Sequence, residues 1–171
     1  MIIEGVAFLF GDNIDTDQIY PGRYLDISEH GEMAEHAMEG ADPDFYRKVS
    51  GLAGERPIIV AGKNFGCGSS REHAVIALKE AGVQAVVARS FARIFYRNAL
   101  NQGLLPIEVP GLDLEKIRDG AKVKIDLKGG ILEIGELTFD FKPFSEKLLK
   151  ILLEGGIISY IKKGGSFELF S

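Results

Sequence analysis

The chain has 171 residues, 46% hydrophobic and 26% charged, with a formal net charge of −5. That length suits one domain, residues 1–171, with a real core and is short for two. The negative balance argues against a nucleic-acid partner, which demands a basic face, and no apolar run approaches the roughly 18 residues of a membrane helix. The opening Met1 to Phe10 lacks a basic n-region and reads as no signal peptide. The single cysteine, Cys67, excludes an intrachain disulfide and suits a reducing cytoplasm. It also limits metals. An iron–sulfur cluster takes about three or four thiolates, and a structural zinc site several Cys or His ligands. Here one cysteine stands with His30, His36 and His73 scattered, so the chain cannot hold a conventional metal centre alone.

Ile2 to Phe10 is β-rich and predicts a first strand. GDNIDTDQIYPGRYLDIS, residues 11–28, has polar, Gly and Pro punctuation without a period and reads as a long loop, which in a compact domain is usually functional. Residues 30–38 and 44–49 read as short helices, with Asp42-Pro43 as a start signal between them. The apolar run from Pro57 to Gly62 predicts a buried parallel strand, a helix follows from about Ser70 to Ala81, and residues 84–88 (QAVVA) form the next strand. This is a βαβ unit, whose crossover should be right-handed. Ser90 is placed to cap a second helix, which Gly103 stops, and residues 104–109 (LLPIEV) read as a third strand. AKVKIDL and ILEIGELTFDF alternate apolar and polar residues around Gly129-Gly130, a hairpin signal. Residues 145–163 read as closing helices broken at Gly155-Gly156. The first two thirds are therefore α/β, with an antiparallel element behind.

The stretch GKNFGCGSSREHA, residues 62–74, carries the chemistry. A dinucleotide fingerprint fails because Arg71 stands where its third glycine should be and no acid ends the next strand. A P-loop fails for want of Gly-Lys-Ser/Thr. The plain reading is a capping box, with Ser69 bonding the amide three residues on and Glu72 reaching back. The functional reading is an anion site: Gly66 and Gly68 let backbone approach a ligand, the helix start directs amides at it, and Arg71 adds a forked donor suited to a carboxylate. A small dicarboxylic acid would suit it, and only such positive potential would let a serine hydroxyl act as a base. A Ser69–His73 nucleophile pair is the rival, but no GxSxG elbow surrounds Ser69, and His73 reads as a packing residue. In the acidic loop Asp12, Asp15 and Asp17 fail an EF-hand frame, which would need Gly at Gln18 and Glu at Tyr24. Asx-turns account for one or two of these acids and leave one free to orient a catalytic group.

DNIDTDQIYPGRYL, GKNFGCGSSREHA and RSFARIFYRNALNQGLLPIEV, in that order, together resemble the small subunit of the isopropylmalate isomerase and homoaconitase family, itself similar to the swivelling domain of aconitase. The likeness is strong from residue 5 to about 109 and rests on length and general pattern beyond. It implies an α/β fold of three layers, β/β/α, with the glycine loop on the βαβ unit, closing over a separate large subunit. It implies no cofactor in this chain and a [4Fe–4S] cluster in that partner. The reaction implied is loss and regain of water on a 2-hydroxy dicarboxylic acid, as in leucine biosynthesis, with a serine alkoxide as base. By motif position Ser69 would be that base, and Asp17 would pair with a histidine of the large subunit. Ser70 and Arg71, beside Gly68, would bind a substrate carboxylate, and Cys67 would be a packing residue. Arg93 and Arg97 read as structural.

The family's specificity loop corresponds to Arg23-Tyr24-Leu25-Asp26-Ile27. Where homoaconitases carry an arginine and isopropylmalate enzymes an apolar residue, this chain has Asp26, which fits neither. A carboxylate facing a carboxylate is repulsive, so Asp26 weighs against a tricarboxylate. Leu25 and Ile27 would line an apolar pocket, while Arg23 is the distal anchor a tricarboxylate would need. Isopropylmalate leads, with homoaconitate or a methylated malate open. Self-association of the isolated subunit and, in another class, a stand-alone carboxylate-binding module also stay open.

Overall fold

Two residue patterns build one sheet in the computed structural model, which describes residues 1–69 and 71–165. After β1 (Ile2–Leu9) come the short helices α1 (Thr16–Ile19), α2 (His30–Ala34) and α3 (Phe45–Ser50). Then β2 (Pro57–Ala61), α4 (Glu72–Glu80), β3 (Ala85–Ala88), α5 (Arg93–Gln102) and β4 (Leu105–Glu108) alternate. A meander of β5 (Lys122–Asp126), β6 (Ile131–Ile134) and β7 (Leu137–Asp140) follows, and α6 (Glu146–Leu153) and α7 (Ile157–Lys162) close the described chain. β2 and β3 are buried at every position, as strands covered on both faces must be, whereas β5 and β6 bury alternate residues.

The strand order is β4-β3-β2-β1-β5-β6-β7. β1 to β4 pair in parallel, and β1 carries the antiparallel meander on its other edge. Successive side chains of the parallel strands serve different cores. Ile59, Ala61, Val86 and Ala88 pack with Phe45, Leu78 and Phe95 on the helical side. Ile58, Val60, Ala85 and Val87 pack instead with Val123, Ile125, Leu132 and Ile134 of the meander, with Leu149 and Leu152 of α6 behind. The sheet thus curls until its second half covers its first, giving the β/β/α layers from one continuous sheet.

Four local expectations need correction. Residues 11–28 are not a plain loop: Asp15 caps α1 in a full capping box with Gln18, and a 3-10 turn spans Gly22–Tyr24. α4 starts at Glu72 with Arg71 as its N-cap and no side-chain cap, so the box built on Ser69 does not form. α5 starts at Arg93 after Ala92, again uncapped, and Ser90 Oγ accepts a hydrogen bond from the Asn64 amide instead. The second shift has a visible cause. The ladder continues past the strand ends, with Phe65 N donating to Ser90 O and Ala92 N to Phe65 O, so this backbone is committed before a helix can begin. Finally, ILEIGELTFDF splits at Gly135, whose φ of 58° turns β6 back into β7. Gly103 does end α5 in the left-handed conformation, at φ 81°.

Candidate active site

Beyond the carboxyl ends of β1 and β2 the two loops run side by side, where open α/β sheets place their ligands. Gly62 N donates to Gly11 O, Asn13 N to Lys63 O, Gly66 N to Ile14 O and Thr16 N to Cys67 O, all between 2.8 and 3.1 Å. Asn13 and Asn64 both turn through positive φ, 55° and 58°, and bond side chain to side chain at 3.2 Å. Two of the three aspartates are consumed by this construction. Asp12 Oδ1 accepts from Lys63 N at 2.7 Å, and Asp15 Oδ1 accepts from Gln18 N at 2.7 Å. Asp17 is left facing outward.

Asp17 Oδ1 accepts from the Gly22 amide at 2.7 Å and from Arg71 Nη1 at 3.3 Å. The amide first, then the guanidinium, hold its carboxyl below the usual carboxylate range. Arg71 Nη1 also donates to Tyr20 O at 3.3 Å, which anchors a side chain only 21% exposed. In the free chain the fork expected for substrate is therefore occupied by the chain's own acid. Ser69 lies two residues before Arg71, exposed, and among the described residues nothing partners its hydroxyl. Its carbonyl is pinned: Thr16 Oγ1, from a buried residue, donates to Ser69 O at 2.8 Å. Thr16 went unnoticed in the sequence because its partner is 53 residues away.

The glycines divide their work. Gly68, at φ 96°, is exposed beside Thr16 and lets the chain turn towards Ser69. Gly66, at φ 84°, is also a packing glycine, because a Cβ there would overlap the Phe95 side chain. Ser70, expected beside Arg71 in carboxylate binding, lies outside the described residues. His73 stacks on Tyr20 with ring centroids 5.8 Å apart, and Ser69 is not in the helix, so the two do not share a helical face.

The expected specificity loop is braced from within. Arg23 sits 4.7 Å over the Tyr24 ring and 3.6 Å from Glu39, Tyr24 stacks on His36, and the Tyr24 hydroxyl donates to Glu39 Oε1 at 3.1 Å. Ile27 is partly buried against the helical-side core, and Leu25 is an exposed apolar side chain beside exposed Asp26.

Between the glycine loop and α5 lies a cleft of about 430 Å³ lined by Thr16, Gly66, Gly68, Arg71, Arg93 and Arg97, with the apolar start of α5. Arg93 and Arg97 therefore border the same space as Arg71, which a purely structural role does not require. Cys67 is half-buried beside Asp15 in the ladder, and among the described residues no group of three Cys, His, Asp or Glu is placed to hold a metal ion.

Residues 6–112 match the family model described as the aconitase C-terminal domain. The chain is 52% identical over 167 residues to the 3-isopropylmalate dehydratase small subunit 1 of Methanopyrus kandleri, covering 96% of this chain and 95% of the relative. It is 52% identical over 163 residues to the 3-isopropylmalate dehydratase small subunit of Saccharolobus islandicus, covering 95% and 96%. A crystal structure of 3-isopropylmalate dehydratase from Methanocaldococcus jannaschii superposes with a TM-score of 0.84 at 47% identity, over 95% of each chain. The likeness therefore runs through the last third of the chain, where the motifs alone had been thin. The chain belongs to the aconitase C-terminal domain family and, within it, to the 3-isopropylmalate dehydratase small subunits.

Proposed function

We propose that this chain is the small subunit of a cytoplasmic 3-isopropylmalate dehydratase, and that with a large subunit it converts 2-isopropylmalate to 3-isopropylmalate in leucine biosynthesis. The observation that carries this is Ser69, an exposed hydroxyl released from helix capping, on a pinned loop two residues from Arg71. The [4Fe–4S] cluster does not fit this chain, whose one cysteine, Cys67, falls short of the roughly three thiolates a cluster takes. In the proposal the cluster belongs to the large subunit, where it supplies a Lewis acid for the substrate hydroxyl.

The residues of this chain bind the diacid and move one proton. A substrate carboxylate replaces Asp17 on Arg71. That exchange is cheap, because the resting contact is single, 3.3 Å long and made to a carboxylate 68% exposed. Asp17, freed, then faces the histidine that the resemblance assigns to the large subunit. Ser69 Oγ, as the alkoxide, takes the proton from substrate carbon and returns it on rehydration, with the positive potential of Arg71 offsetting the cost of ionising a hydroxyl in a closed site.

An alkylmalate suits the loop better than a tricarboxylate. Arg23, the cation of this loop, already has Glu39 and the Tyr24 ring for partners, while Asp26 would repel a third carboxylate. Leu25 offers apolar surface for an alkyl group. The reconstituted two-subunit enzyme should show at least a tenfold higher kcat/KM on 2-isopropylmalate than on homocitrate, about 1.4 kcal/mol of discrimination. Equal or reversed preference would overturn the substrate assignment, and no turnover of either would overturn the enzyme assignment.

A further inference from the structure

We propose that the start of α5, with Arg93, Ile94 and Arg97, is a docking face for an acidic segment of the large subunit, an inference that rests on the preceding reading. The chain carries 25 acids against 20 lysines and arginines, yet the cleft beside this face is lined by three arginines and no acid. Arg71 has Asp17 for a partner. Arg93 and Arg97 are exposed, and among the described residues neither meets a carboxylate.

Their placement works against the helix that carries them. Arg93 is the first residue of α5, where a cation opposes the positive end of the helix dipole, and Arg97, four residues on, adds like-charge repulsion. An anion arriving from outside removes both penalties. Ile94 decides what kind. It is 49% exposed, follows Arg93 directly and lines the cleft with both arginines. The proposed diacid brings two carboxylates, one of them for Arg71, too few for three guanidinium groups, whereas a protein segment that carries Asp or Glu beside an apolar side chain covers Arg93, Ile94 and Arg97 together. Arginine is also among the residues enriched at interface centres. The face adjoins Gly68 and Arg71, so a partner docked here would form one wall of the substrate cleft.

The test measures assembly of the full chain with its large subunit, by calorimetry, for wild type, Arg97→Gln, Arg97→Glu, Arg93→Glu and an Arg118→Glu control on an exposed loop elsewhere. Circular dichroism and urea midpoints check folding, and Arg97→Gln keeps the test informative if a reversal unfolds. The expected result is a Kd raised severalfold by Arg97→Gln and at least tenfold by either reversal at Arg93 or Arg97. The Arg118→Glu control should match wild type in assembly and in KM. Unchanged assembly overturns the docking face. Unchanged assembly with a raised KM overturns it in favour of substrate binding by these arginines. If wild type itself does not assemble, the function proposed above falls first, and that outcome is distinct from wild type and variants assembling equally well.

Discussion

Thr16 and Asp17 are neighbours with opposite burial and complementary duties. Thr16 holds the Ser69 carbonyl from below, so Thr16→Val should keep the fold, lose about 1 kcal/mol in urea unfolding, and lower kcat of the assembled enzyme, with Thr16→Ser restoring most of it. Unaltered kcat would show that the Ser69 loop needs no such anchor. Asp17 can be followed by the carboxyl signal in a pH titration. Its folded pKa lies below the unfolded value of about 3.9. The contribution of its pair with Arg71 is therefore present above that pH and lost as pH falls through the depressed value. Arg71→Gln should raise the Asp17 midpoint only part of the way, because the Gly22 amide is the larger cause. A midpoint at the ordinary value in wild type would contradict the contact. At this scale the residues of the proposed site could be picked out from the chain, since Ser69, Arg71 and Asp17 stand in recognisable strings. The anchor was not, because nothing local distinguishes a threonine whose partner is 53 residues away.

Among the elements, the glycine loop separates packing from positioning. Gly66→Ala adds a Cβ that overlaps Phe95 on a backbone at φ 84°, so it should cost about 2–4 kcal/mol from overpacking and left-handed strain. Gly68→Ala meets Thr16 Oγ1 at an ordinary 3.5 Å and should cost about 1 kcal/mol, from its φ of 96° alone. Equal losses in denaturant midpoints would refute the division. The strands of the βαβ unit could be read from apolar runs because burial on both faces leaves no other composition. The starts of α4 and α5 could not, because Ser69 and Ser90 carry the local grammar of caps, while Thr16 holds the Ser69 carbonyl and the ladder beyond the strands claims the Ala92 amide. Conversely, the Asp15-to-Gln18 box was in plain view and was passed over as loop. Long-range pairing outranks a local cap when both compete for the same amides.

Over the whole molecule, the hairpin alternation of β5 and β6 was readable, but not the way the meander lies across the parallel half. That arrangement depends on Ile58, Val60, Ala85 and Val87 offering a second apolar face, and a run of buried residues does not tell one face from the other. The curled sheet sends its parallel strands' carboxyl ends to one place, where Ser69, Asp17 and three arginines gather in a chain whose net charge is −5. The most direct test of that gathering is turnover of 2-isopropylmalate by the assembled enzyme carrying Ser69→Ala, with assembly checked in the same sample. The expected result is a loss of kcat of at least a thousandfold, about 4 kcal/mol, with partner affinity unchanged. Wild-type turnover from the alanine variant would show that the proton leaves carbon by another base.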